Sequence, residues 1–188
     1  KMFKDIGDDF MDVLSMDSNG NSVDNQITID DIVRKPIITK DIFEGLISNF
    51  VDLGYEEDID LFVFPYDWRI DINISSNELK NKINSVISQT GNSKVDIIAH
   101  SMGGLLSKQY ILDNGSNSIN KLIFIGTPHL GAPKAAKTLL FGDDMGVGLI
   151  FSFLSIDRIK SISQNMPALY QLLPSEEGCL LDLGFVKR

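Results

Sequence analysis

Apolar positions in this chain alternate between a helical period and short continuous runs. Ile42, Phe43, Leu46, Ile47, Phe50 and Val51 recur at helical spacing and fall on one face. Asp41 stands before them as an N-cap, Glu44 follows three residues on, and Gly54 supplies a stop. "DLFVFPYDW" then reads as a strand ending at Pro65. A second helix is predicted from Ser75, capped with the help of Glu78, burying Leu79, Ile83, Val86 and Ile87 and stopping near Gly91. "VDIIA" reads as a strand, Met102 to about Asp113 as a helix closed by "DNG", and "KLIFIGTP" as a further strand.

Strands separated by helices of this length predict an α/β fold, a parallel sheet with helices on both faces. Such sheets bind ligands beyond the carboxyl ends of their strands. The three predicted ends are "PYDWR", "AHSMGG" and "GTPHLGAP", where the chemically distinctive residues gather. Residues 1–40 carry a weak, Asp- and Asn-rich pattern and read as irregular; 41–130 form the core. A mainly helical cap is expected over 131–174, with a short remnant at 175–188. In "DSNGNSVD" the glycine falls too early for a calcium loop and Thr28 stands where Glu is required, so turn chemistry is the better reading.

The chain has 188 residues, 43% of them hydrophobic, enough for one substantial core. Its net charge of -9 without a basic cluster argues against nucleic acid. That charge disfavours an anionic membrane and leaves contact with a neutral or zwitterionic lipid interface open. The single cysteine, Cys179, excludes an internal disulfide and matches no metal-ligand spacing, so no metal or cofactor is implied. No signal peptide or membrane-spanning run is evident, the compartment stays open, and a first residue of Lys suggests part of a longer protein.

In "AHSMGG", Ser101 sits at a sharp strand-to-helix turn flanked two residues away by Ala99 and Gly103. Tiny side chains there are what a strained turn with close chain segments needs. The turn would present the Ser101 hydroxyl as a nucleophile, with the Met102 N–H as a donor to a tetrahedral oxyanion. A dinucleotide site, the rival for a strand–turn–helix, lacks its spaced glycines.

"FPYDWR", "AHSMGG" and "IGTPHLGAPKA", followed by "NMPALYQLLPS", resemble the lecithin–cholesterol acyltransferase-like group of α/β-hydrolases over roughly Ile42 to Ser175. The Asn, Ile, Lys and Asp bias suggests a bacterial member, of which this is a central fragment. The resemblance implies a serine hydrolase or acyltransferase acting on lipid esters through an acyl-enzyme. Ser101 would be its nucleophile and Met102 an oxyanion donor. It places Asp67, Trp68 and Arg69 beside the active site, with Asp67 and Arg69 as an ion pair and Trp68 as an apolar wall. The segment after Gly131 matches the family's cap insertion.

The chain departs from that pattern at its base. His100 adjoins Ser101 on a strand and should point to the opposite face. His129 ends the next strand on the functional side, but no strand-plus-acid lies between it and Ser101, so a substrate-side or cap-anchoring role suits it better. The histidine and acid of the triad are expected beyond Arg188, and the second oxyanion donor before Lys1. A non-catalytic lipid- or partner-binding relative is the alternative.

Overall fold

The computed structural model describes residues 13–24, 27–32, 34, 43–142 and 156–176. Their elements run α1 (Glu44–Asp52), α2 (Ile72–Thr90), β1 (Val95–His100), α3 (Met102–Asn114), β2 (Ile119–Ile125), α4 (Pro133–Phe141), α5 (Ile156–Ser163) and α6 (Pro167–Gln171). β1 and β2 pair in parallel, and α3, the crossover between them, packs back on the sheet beside α2. This is a small parallel α/β core.

The sheet has two unlike faces. Ile97 and Leu122, opposite one another in register, join the main core with Leu79, Ile83, Leu106 and Tyr110. Ile98 and Ile123, also paired in register, remain 39% and 48% exposed, as does Ile125 at 43%. A parallel sheet is ordinarily buried on both faces, so this second face is the unfinished side of the core.

"DLFVFPYDW" does not form the expected strand. Residues 62–67 run without ladder bonds after an isolated Glu57–Leu61 bridge. Phe64 and Tyr66, two apart, still pack on the core, which is the alternation that suggested a strand. A strand also needs a neighbour, and among the described residues none pairs with this segment; Pro65 has no N–H to offer.

The second helix begins at Ile72, not Ser75. Asp71 is its N-cap, accepting from the Asn73 N–H at 2.7 Å. Gln171 completes that cap from 99 residues away: its Oε1 accepts from the Ile72 N–H at 2.8 Å, and its Nε2 donates to Asp71 Oδ1 at 2.9 Å. Ser75 and Ser76 lie on the buried stripe, between Ile72 and Leu79. Gly91, in the left-handed conformation at φ 71°, closes the helix as expected.

For α1, the expected cap Asp41 and Ile42 fall outside the described residues. Phe43 precedes the first helical residue, and Gly54 follows the last turn at φ 98°. Ile47 is buried, whereas Leu46 and Val51 of the same predicted face are exposed.

The N-terminal turn has the local chemistry the sequence suggested. Asp17 Oδ1 accepts from the N–H groups of Asn19 and Asn21, each at 2.8 Å. The turn is anchored: Met16 clusters with Ile162 and Met166, and Asn165 Nδ2 donates to the Met16 carbonyl at 3.1 Å. Gly20 meets the Pro167 ring so closely that a Cβ has no room there.

Among described residues the segment after Gly131 is helical. Ala168 is fully buried in the main core. Backbone bonds from Ala132 N–H to the Leu172 carbonyl (2.8 Å) and from Ser175 N–H to the Leu130 carbonyl (2.9 Å) tie its two ends together. The apolar run Val147 to Leu154, central to the expectation of a cap, lies outside the described residues.

Candidate active site

β1 ends at His100, and the chain turns at Ser101 with φ 52° and ψ -126° before α3 begins at Met102. A positive φ in a residue with a Cβ is strained and persists only where its surroundings impose it. Two bonds do so. The Ser101 N–H donates to the Ile125 carbonyl at 2.9 Å, and the Ser101 carbonyl accepts from the Gly104 N–H at 3.0 Å. No side chain caps α3, so the N–H groups of Met102 and Gly103 open its positive end beside Ser101.

Crowding at this turn falls one residue later than the sequence reading placed it. A Cβ on Gly103 would find only the Tyr66 hydroxyl, at 3.8 Å, which is ordinary contact. A Cβ on Gly104 would overlap the Thr127 side chain. Ala99, 5% exposed, is small and buried as expected.

Tyr66, whose hydroxyl reaches this turn, leads into a loop held by an ion pair. Arg69 is 2% exposed and Asp67 largely buried, their carboxylate and guanidinium meeting at 2.6 Å. Burial pushes the Asp67 carboxyl up, but hydrogen bonds from the Arg69 side chain and backbone, with its charge, outweigh this and hold it below the usual range. The expected ion pair is therefore formed. Trp68 between them is 45% exposed. Burial raises Tyr66 to about 12, which keeps its hydroxyl protonated as a donor. Glu78 is also pushed up, by burial and then by the Asp67 charge.

Neither histidine engages the serine. His100 is exposed and packs edge-on against Phe43, ring centroids 5.5 Å apart. The His129 ring packs edge-on against Phe124 at 4.8 Å, and the His129 backbone N–H donates to the Thr127 carbonyl at 2.9 Å. Among the described residues Ser101 Oγ has no hydrogen-bond partner. Among them, too, no cluster of three His, Cys, Asp or Glu could hold a metal, and no helix is long and apolar enough to cross a membrane.

The sequence reading missed Tyr66, Gly104, Thr127 and Gln171, and took Glu78 for the capping partner of a helix start at Ser75, whereas the cap is Asp71. Tyr66 and Thr127 stand inside the motifs already singled out, "PYDWR" and "GTP"; nothing local marked Gln171.

Residues 30–183 match the model of the lecithin:cholesterol acyltransferase family. The chain belongs to that family. Its similarity to the Arabidopsis thaliana phospholipase A(1) LCAT3 is 32% identity over 144 residues, covering 72% of this chain and 32% of that protein. To the lecithin-cholesterol acyltransferase-like 4 of the same plant it is 30% identical over 138 residues, 70% of this chain and 26% of that one. To the phosphatidylcholine-sterol acyltransferase of Gallus gallus it is 29% identical over 112 residues, 56% and 27% respectively. The chain thus spans a third or less of each of these lecithin:cholesterol acyltransferase family relatives. Among solved structures, the mature Bacillus licheniformis lipase BlEst2 matches 60% of this chain and 40% of its own, at 21% identity and a TM-score of 0.44.

Proposed function

We propose that these residues carry the nucleophile end of a serine-dependent lipid-ester hydrolase or acyltransferase. The observation that supports this most directly is the backbone of Ser101, a non-glycine residue at φ 52° between a parallel strand and an uncapped helix N-terminus. The relatives named phospholipase and acyltransferase support a lipid ester as the substrate class.

In the proposed reaction, Ser101 Oγ attacks the ester carbonyl carbon as its proton passes to an imidazole. The carbonyl oxygen becomes an oxyanion that accepts from the Met102 N–H, aided by the positive end of α3. Collapse re-forms the carbonyl, breaks the bond to the alcohol oxygen and returns the proton to it, leaving an acyl-enzyme. Water or a lipid alcohol then attacks by the same steps. Trp68, beside the Asp67–Arg69 pair, offers an apolar wall, His129 serves on the substrate side, and the segment after Gly131 acts as a cap over the acyl chain. A net charge of -9 favours neutral or zwitterionic lipid.

We assign the base and the acid that orients it to residues outside these 188, because neither histidine engages Ser101 and no histidine follows the carboxylates after Gly131. The second oxyanion donor is assigned likewise, because nothing before Asp41 matches the family's oxyanion loop. Two assays test this. Phospholipid hydrolysis by the protein containing this segment should vanish in Ser101→Ala; hydrolysis that survives overturns the assignment. The 188 residues alone should turn over a p-nitrophenyl ester no faster than their own Ser101→Ala variant, since removing the histidine of such a triad costs on the order of 10⁶-fold. Turnover above that variant would place the base within this chain. A binding protein without chemistry would show lipid association in the first assay and no hydrolysis.

A further inference from the structure

The end of β2 holds the serine turn at two points. The first is the Ile125 carbonyl on the Ser101 N–H, at 2.9 Å. The second comes two residues on, past Gly126 at φ 59°, where the Thr127 side chain lies against the backbone of Gly104. A Cβ on Gly104 would collide with Thr127 Oγ1 and stand 2.6 Å from Cγ2 and 2.8 Å from Cβ. Both branches of the threonine therefore fill the space that glycine leaves. Thr127 Oγ1 is buried and has no hydrogen-bond partner among the described residues. A buried hydroxyl without a partner is a cost, so the side chain is held there for its shape or for another role.

We propose that Thr127 is a positioning residue whose branched side chain, seated on Gly104, fixes the first turn of α3 against the end of β2. Through that turn it sets where the Met102 and Gly103 N–H groups and Ser101 stand. Its functional consequence rests on Ser101 being the nucleophile: donors to a developing oxyanion lose much of their effect when displaced by a fraction of an ångström to an ångström. The geometry can be tested without that reading.

The test is amide NMR and thermal melting of the 188-residue chain carrying Thr127→Val, Thr127→Ser, Thr127→Gly, Gly104→Ala, or Gly104→Ala with Thr127→Gly. Valine keeps both branches and drops the unpaired hydroxyl. It should leave the Met102 and Gly103 amide resonances in place and melt no lower than the parent. Serine lacks the methyl branch, and glycine lacks both; each should displace those two resonances, glycine more, while amides in the middle of α2 stay put. Gly104→Ala should melt lower, and adding Thr127→Gly should recover at least half of that loss. Unmoved Met102 and Gly103 amides in Thr127→Gly would overturn the proposal. So would a double variant melting no higher than Gly104→Ala, or serine matching the parent where valine does not. Should Gly104→Ala fail to fold, the three Thr127 variants decide. None of these readouts depends on ester chemistry, so a catalytically silent Ser101 would leave the positioning result standing.

Discussion

Arg69 reaches back two residues to grip Asp67: Nε meets Oδ1 at 2.9 Å, Nη2 meets Oδ2 at 2.6 Å, and the Arg69 N–H meets Oδ1 at 3.0 Å. The same guanidinium donates to the Val13 carbonyl and to Ser22 Oγ, each at 3.3 Å, while the Arg69 carbonyl accepts from the Ala168 N–H at 3.3 Å. The side chain of this one residue thus joins the "PYDWR" loop to the N-terminal turn, and its backbone carbonyl joins the loop to α6. Arg69→Met should cost roughly 3–5 kcal/mol, the range for breaking a buried pair by removing one partner. Arg69→Lys should recover only part, because a single ammonium cannot reproduce the planar fork. Urea unfolding measures both; a loss below about 1 kcal/mol in Arg69→Met would mean that the pair is not a structural hub.

The pair also gives stability a pH dependence of known sign. Asp67 ionises more readily folded than unfolded, because the hydrogen bonds and charge of Arg69 outweigh its burial. Its contribution is therefore complete above the unfolded carboxylate value of about 4 and is lost as pH falls through the lower folded value. Stability measured from neutral pH downward should fall less steeply below about pH 4 in Asp67→Asn than in the parent. Equal slopes would remove Asp67 as the source.

Local signals were legible and cross-chain ones were not. β1, the Ser101 turn and α3 follow from contiguous residues: an apolar run, a small-residue turn, a helical period and "DNG". Their bounds match within a residue or two. The start of α2 was obscured because "DINISS" puts isoleucines where a strand would and offers Ser75 as a plausible cap, while half of the true cap comes from Gln171. Residues 62–67 show a strand's alternation, but a ladder depends on a neighbour the pattern cannot name. Gly103 was singled out by its distance from Ser101, yet the glycine that needs its missing Cβ is Gly104. Only the end of β2, which brings Thr127 alongside, makes that visible.

The joint cap on α2 gives a prediction of its own. Asp71→Ala and Gln171→Ala should each destabilise by about 1 kcal/mol, the ordinary cost of a lost N-cap. Because Gln171 Nε2 binds the same Asp71 oxygen that receives the Asn73 N–H, the double variant should lose less than the sum. A strictly additive chemical-denaturation result would show that the two residues act separately.

Ser76 is 1% exposed on the inward stripe of α2, and its Oγ has no hydrogen-bond partner among the described residues. Alanine removes that desolvated hydroxyl and has the higher helix propensity. Ser76→Ala should therefore stabilise the chain by about 1 kcal/mol. A destabilised variant would indicate that a bound water pairs with the hydroxyl.

The backbone of Ser101 allows strain and chemistry to be separated. At φ 52° and ψ -126° the residue lies where a Cβ is penalised, a cost of order 1–3 kcal/mol that glycine largely escapes. Glycine loses some of this advantage through the greater freedom it gives the unfolded chain, about 0.4–1 kcal/mol. Ser101→Gly should still be the more stable variant when set against Ser101→Ala, by about 1 kcal/mol. Alanine is the proper reference, because both changes delete the hydroxyl and differ only in the Cβ. Both should abolish any reaction with a fluorophosphonate in the protein that contains this segment, so the difference in stability between them reports the backbone strain alone. Ser101→Gly equal to or less stable than Ser101→Ala would mean that the turn carries no strain at this position, and the main support for Ser101 as the nucleophile would go with it.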